Sequence, residues 1–562
     1  MKVSEIPYRR YTIEQGRAAF AQIEGCLAGA KSGRDLVGAR KLYLAMLTEY
    51  TTAAALSHCR FTLDTRDAFY QGEVAYYDEV GPLFQQMMTA FAAAMLDSPY
   101  REEAERELGS RIFASYEVAR KAFSPDIIED LQEENALVTE YSKFMSELPF
   151  SFRGETMPLS VLRGKLQDGD RDTRREAAEA IGRGLEAGRQ TLDDIYDRLV
   201  KLRDGMAKKM GYASFVELGY YRMGRIDYNA EMVRGFRDNV ARDLVPAVTA
   251  LKKEIAADLG IEHLAYYDDA IVERGEGVAP KLSVEEIFSE ALAMYQKMHP
   301  DVGAFMAQMQ ENEAFDVLSR DGKWGGGYCT AFPKYKQPFI LANFNGTAGD
   351  IDVMTHEFGH ALAAHYVFLE GDIELDVGGM ETAECHSMGM EFFSWPYMDR
   401  FFADGDKYRR KHLVDALSFI PYGVIIDEFQ EEVYSHPEYT PAERNALYLR
   451  LEEKYRPYLD FSEIPYLSEG TRWQYQMHVY EAPFYYIDYC LAQTVALGFL
   501  LASQKNYADA FSRYLAFLRA GGTKPFESLI ADASLASPFR EGGLASLAKK
   551  TLALYHDLKK EG

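Results

Sequence analysis

Apolar side chains recur at steps of three and four residues along most of this chain, which is the period of a helix and not of a strand. In "TLDDIYDRLVKLRDGMAKKM" the positions Leu192, Ile195, Leu199, Leu202 and Met206 form one stripe. Similar stripes run through residues 12–120, 282–310, 405–455 and 505–556. A chain patterned this way buries its apolar surface mainly by laying helix on helix. Its 562 residues exceed one core of ordinary size, so two or three lobes are expected. The Pro-, Gly- and Ser-rich stretch "SELPFSFRGETMPLS" (146–160) is the expected boundary between an N-terminal helical lobe, 1–155, and a larger region, 156–562.

One stretch breaks the helical pattern. "GGGYCTAFPKYKQPFILANFNGT" holds two β-rich runs, Tyr328–Phe332 and Phe339–Phe344, joined by a short turn with Pro and Lys. It predicts a small antiparallel sheet at about 325–345.

Composition narrows the partners. With 47% hydrophobic and 27% charged residues the chain is a folded one. Its net charge of −25 repels nucleic acid and anionic lipid, so neither is expected as a partner. The start "MKVSEIPYRRYTIEQG" lacks the apolar core of a secretory signal. The most apolar patch, "LAQTVALGFLLA", is broken by Gln493 and Gly498, so no membrane span is expected. Five widely spaced cysteines without a Cys-x-x-Cys pair suit reduced thiols, hence a cytoplasmic setting. Nothing in the sequence sets the oligomeric state.

The chemistry concentrates in "MTHEFGHALAAHY", residues 354–366, on a helix expected over about 350–366. His356 and His360 lie four apart, one turn above the other, so both imidazoles can reach one divalent ion. Glu357 sits on the flank of that face, suited to holding a water rather than to ligation. Thr347 or Asp350 is the expected helix cap. Gly359 costs about 1 kcal/mol of helix propensity against Ala, and its small size would let another backbone approach.

A third ligand follows. "GGMETAECHSMGMEFFSWP" predicts a second helix carrying Glu384, with Ser387, Met388 and Glu391 on the same face. Two His and one Glu leave a coordination position open, the ligand set of a catalytic zinc site rather than a closed structural one. Glu391 is placed to accept a hydrogen bond from a ligand imidazole. His365 and His386 point about 140° and 200° away from their neighbouring ligands and are expected to be structural. No Gly-x-Ser-x-Gly elbow, phosphate-binding loop or dinucleotide fingerprint competes.

At these residues the chain resembles a known family. "FILANFNGT…DVMTHEFGHALAAHY", the Glu of "METAEC", "FIPYGVIIDEFQ" and "TRWQYQMHVYEAPFYYIDY" resemble the oligoendopeptidase F branch of the thimet-oligopeptidase family of zinc peptidases, most strongly over 320–500. The resemblance implies a mainly α fold in which two helical lobes enclose a deep channel, with a small β-sheet beside the zinc helix. It implies one Zn2+ held by His356, His360 and Glu384, and Glu357 as the catalytic base. It also implies a His and tyrosines on the oxyanion side, matched here by His478, Tyr485 and Tyr489. Tyr480 and Tyr486 share that segment, so which phenols face the metal stays open.

The expected activity is hydrolysis of internal bonds in short peptides by a metal-activated water. A zinc carboxypeptidase is the nearest alternative and would need a charged group fixed at one end of the cleft. A peptide-binding relative without catalysis is the other. The strand "PFILANFN" is placed either for a substrate to add to an open sheet edge, with Gly325–Gly327 permitting close backbone approach or loop movement, or simply to fill the wall of the cleft.

Overall fold

Helices begin where short polar side chains can close their first turn. Thr12 accepts the Gln15 N–H while the Gln15 side chain returns to the Thr12 N–H, and α1 (Ile13–Ala28) follows. The computed structural model describes residues 1–275, 277–375 and 379–561. Helices α1, α2 (Gly33–Leu63) and α3 (Ala68–Asp97) surround an apolar cluster of their own that spans residues 13–116. Tyr43 and Phe91 stack at its centre, 3.9 Å apart.

The remainder shares a second, much larger core. It takes in Phe150 and Phe152 of the hairpin β1 (Phe150–Phe152) and β2 (Glu155–Met157). After α4 (Leu159–Lys165) comes α5 (Arg171–Lys209), where Leu192, Ile195, Leu199 and Met206 are fully buried and Leu202 half-buried. The three-four stripe is therefore the face this helix turns inward.

The sheet has three strands, not two. β3 (Phe315–Leu318) pairs in parallel with β5 (Gln337–Phe344), which pairs on its other side with β4 (Tyr328–Phe332), giving the order β3-β5-β4. The strand "PFILANFN" is thus central, with both edges taken, and of its two readings the one in which a substrate adds to it is overturned. Outer edges are left to β3 and to β4. Which groups β4 offers there follows from pairing geometry. The Ile340 N–H bonds Ala314 O at 3.0 Å on the β3 side, and Pro338, opposite Ala331, has no N–H. Ala331 is therefore a non-hydrogen-bonded position against β5, and its N–H and C=O point out of the sheet.

From β5 the chain passes directly into α6 (Gly349–Glu370), then α7 (Met380–Phe393), α8 (Gly405–Ser435), the short α9 (Met477–Glu481) and α10 (Tyr486–Ser503). Neither expected cap closes α6. Its N-cap is Ala348, and Asp350 instead accepts the N–H groups of Asn345 and Gly346 at 2.9 and 2.8 Å. Gly346, at φ 82°, turns the loop back over the helix start so that Asp350 meets loop amides rather than helix amides. Helix α10 is long and apolar enough to cross a membrane, yet 78% of it is buried and it packs against α7 and α8.

The N-terminal helices are fastened beside β4 and the end of α6. Arg40 of α2, itself buried, pairs with Asp372 at 2.8 Å and Glu374 at 2.6 Å. The hydroxyls of Thr62 and Tyr328 are 2.6 Å apart. These contacts hold α2 across the cleft from the motif helix.

Candidate metal centre

Helices α6 and α7 approach so closely because Gly359 has no side chain. A β-carbon there would fall 2.4 Å from the carbonyl oxygen of His386 and 2.7 Å from Cα of Ser387. The close approach anticipated for this glycine is what brings the two arms of the site together. His356 Nε2 lies 3.3 Å and His360 Nε2 3.5 Å from Glu384 Oε2. One ligand atom from each residue falls within 4.8 Å of the others.

Those separations fit a metal. Zinc bonds to imidazole and carboxylate of roughly 2.0–2.1 Å give tetrahedral edges of about 3.3 Å. Burial alone would raise the Glu384 carboxyl, but the two imidazoles outweigh it and hold it well below the ordinary range, as an anion. Ser387 Oγ donates to Glu384 Oε2 at 3.0 Å, and the Tyr485 hydroxyl donates to Oε1.

The orientation of His356 is set from behind. Its Nδ1 is 2.7 Å from Glu391 Oε1, and the other oxygen of Glu391 is 2.7 Å from His412 Nε2. Trp395 Nε1–H donates to His412 Nδ1 at 2.8 Å. Since indole nitrogen only donates, His412 Nδ1 carries no proton and Nε2–H gives its proton to Glu391. Glu391 in turn accepts from His356 Nδ1–H, leaving the Nε2 lone pair of His356 directed at the metal position. The hydrogen bond anticipated for Glu391 is present. His412 and Trp395 were not singled out in the sequence.

Glu357 is buried and faces the same cavity as the three ligand candidates. Burial raises its pKa, while the imidazoles of His356 and His360 pull the other way. The cavity measures about 490 Å3 and is walled by α2 at Thr51 and Ala55, by β4, and by Tyr485 and Tyr489.

The late segment sorts the four tyrosines from 480 to 489. Tyr485 and Tyr489, with ring centres 4.9 Å apart, reach the cavity. Tyr480 stacks on Tyr141 at 3.9 Å inside the core, and Tyr486 is buried against Phe419 and Tyr422. His478 stands beside the two cavity tyrosines, its ring 5.7 Å from Tyr485 and 5.8 Å from Tyr489. Gln476 Oε1 accepts the Tyr422 hydroxyl at 2.6 Å, so its Nε2 donates to His478 Nδ1 at 2.9 Å. That leaves the proton of His478 on Nε2. Burial keeps this ring neutral, its pKa pushed down to about 4.

Backbone and ion pairs fix this segment. Phe484, just before Tyr485, sits at φ 67° with its N–H on Gln430 Oε1 at 3.1 Å. Asp488, between the two tyrosines, is buried and held by Arg225 and Tyr228, each at 2.8 Å. Tyr422 and Gln430 both come from "FIPYGVIIDEFQ", whose part in the site is to hold the late segment.

The two other histidines of α6 and α7 are packed away from the three ligand candidates. His365 stacks on Phe305 at 4.3 Å, and the fully buried His386 ring packs on Phe517 at 5.8 Å.

Two imidazoles and a carboxylate close enough to hold one cation, with a buried carboxyl beside them on a cavity lined by β4, fit a helical metallopeptidase. The chain belongs to peptidase family M3, whose profile matches residues 165–549, with the Peptidase M3 N-terminal domain matching 3–123. It is similar over its whole length to the solved structure of PZ peptidase A with an inhibitor, at 40% identity, full coverage of both chains and a TM-score of 0.97. Among curated proteins it is 22% identical over 513 residues to oligopeptidase PepF of Bacillus subtilis, covering 83% of this chain and 72% of that protein. It is also 26% identical over 284 residues to the oligoendopeptidase F homolog of Borreliella burgdorferi, covering 48% of this chain and 47% of that one.

Proposed function

We propose that this member of the family is a zinc-dependent endopeptidase that cuts internal bonds of short peptides, with His356, His360 and Glu384 as the zinc ligands. The convergence of these three side chains at tetrahedral spacing carries the reading. Zinc held there supplies Lewis acidity toward water and the scissile carbonyl. Glu357 takes the proton from the attacking water, an uptake its burial favours, and delivers it to the departing amine. Tyr485, Tyr489 and the Nε2–H of His478 are the donors for the developing oxyanion. Ala331, on the open edge of β4, supports substrate pairing through the backbone, which reads an extended peptide without demanding particular side chains. The widely spaced cysteines, with no Cys-x-x-Cys pair, support a reducing, cytoplasmic setting.

The test pairs metal analysis with cleavage mapping on a peptide blocked at both ends. Wild type is expected to carry about one zinc per chain and to cut the blocked peptide internally. Glu357→Gln should keep the metal and lose nearly all turnover. A blocked peptide left intact while its free form is trimmed from the C-terminus would establish a carboxypeptidase instead. Binding without any turnover by the zinc-loaded protein would establish a non-catalytic relative.

A further inference from the structure

A second cavity, of about 500 Å3, lies beside the start of α6. It adjoins the metal cavity where Gly327, lining one, meets Val353, lining the other; a β-carbon on Gly327 would lie 3.8 Å from Val353 Cγ1. This is the Tyr328 end of β4. A peptide pairing antiparallel with β4, the more stable arrangement, runs with its C-terminal end toward this second cavity.

The charges on its wall are mostly satisfied from within the protein. Lys252 pairs with Asp269 at 2.7 Å, and Arg456 holds Glu452 at 2.6 Å and Asp269 at 3.6 Å. Asp415 is paired with Lys411, and Asp350 accepts its two loop amides. Arg163 and Arg472, which also line it, have no carboxylate partner among the described residues.

Arg472 is the more telling of the two. Its guanidinium lies over Tyr422 at 4.1 Å, with the rings of Tyr475 and Tyr266 at 5.3 and 5.6 Å. Nε and Nη1 are sealed from solvent and make no hydrogen bond. Three aromatic faces hold the plane of the fork but accept none of its N–H groups in that plane. A largely buried cation left this way is costly unless an anion completes it. Arg163, on α4, lines the same cavity as Arg472.

We infer that Arg472, assisted by Arg163, binds a carboxylate of the substrate peptide beyond the cut, either its free C-terminus or an acidic side chain. The inference rests on the peptidase reading above and adds an anchor to it. A planar fork matches a carboxylate with two parallel hydrogen bonds. An anchor at one end of the cleft fixes how far from that carboxylate the metal stands. Cleavage is then set by distance from the carboxylate as well as by local sequence.

The test uses the zinc-loaded full chain and peptides of one core sequence ending in a free carboxylate, a carboxamide, or a carboxamide preceded by Glu. Wild type should favour the free acid over the plain amide by about tenfold or more in kcat/KM, mainly through KM. The ratio should fall toward one in Arg472→Gln and fall partway in Arg163→Gln. Arg472→Lys, which keeps the charge without the fork, should fall between wild type and Arg472→Gln. N-terminal extension should leave the cut at the same distance from the C-terminus. If the Glu-containing amide matches the free acid and loses that advantage in Arg472→Gln, the anchor is confirmed with a side chain as its ligand. A wild-type ratio near one for both carboxylate peptides, with all of them cut, overturns the anchor and leaves the peptidase reading standing. If none is cut, both fall.

Discussion

Glu391 joins His356 to His412, accepting a hydrogen bond of 2.7 Å from a ring nitrogen of each. One carboxylate thereby ties a candidate ligand on α6 to a histidine on α8 whose tautomer is fixed by Trp395. The metal position is thus braced from a third helix that never reaches it.

If this brace orients His356, breaking it should weaken metal binding before it touches chemistry. Glu391→Gln and His412→Ala are each expected to lower zinc affinity by about 10–100-fold. Chelator competition measures this. Activity should recover largely when zinc is added in excess, and zinc affinity equal to wild type would remove the brace from the account.

Gly359 sets how near the two ligand-bearing helices come. Gly359→Ala would put a methyl group 2.4 Å from the His386 carbonyl oxygen, forcing α6 and α7 apart. Overpacking of this kind costs about 1–3 kcal/mol, and here it should also loosen the metal site. A lower melting temperature together with weaker zinc binding is the expected pair of results. Loss of neither would mean the helices separate freely.

Of the cavity phenols, Tyr485 donates to Glu384, and Tyr489 stands beside both Tyr485 and Glu384. Tyr485→Phe and Tyr489→Phe should each retain zinc while lowering kcat, by up to about 3–4 kcal/mol of barrier for a true oxyanion donor. Tyr480→Phe and Tyr486→Phe, by contrast, should change stability more than rate, since both rings are core. Steady-state kinetics beside metal content separates these cases.

Acid should act on His478 through stability. Its folded pKa, pushed down to about 4 by burial, is below the ordinary 6.5 of the unfolded chain. Below 6.5 the unfolded chain binds the extra proton, so the stability that the neutral ring contributes is present above that pH and is lost as pH falls toward 4. The stability difference between wild type and His478→Gln should therefore shrink from pH 7 to pH 5. Urea midpoints at the two pH values read it, and a constant difference would show that the ring already titrates normally.

Much of the local structure was legible because it depends on near neighbours in the chain. The stripe from Leu192 to Met206 buried as its spacing requires, Gly359 proved to be a point of close approach, and the runs at 328–332 and 339–344 are strands. The misreadings were of longer range. Nothing near "PFILANFN" announces that β3, some twenty residues upstream, takes its second edge. Asp350 has the chemistry of a cap, but the left-handed turn at Gly346 gives it other amides.

The sequence by itself determined the helical build, the spacing of His356 and His360 on one helix face, and the carboxylates that accompany them, because a repeat of 3.6 residues is a local rule. Only the tertiary structure decided that Glu384 stands within about a tetrahedral edge of both imidazoles, that Tyr485 and Tyr489 face the cavity while Tyr480 and Tyr486 do not, and that Arg472 has no carboxylate partner among the described residues. Each of those depends on segments roughly twenty to three hundred residues apart being packed together, and side-chain type does not encode such distances one residue at a time.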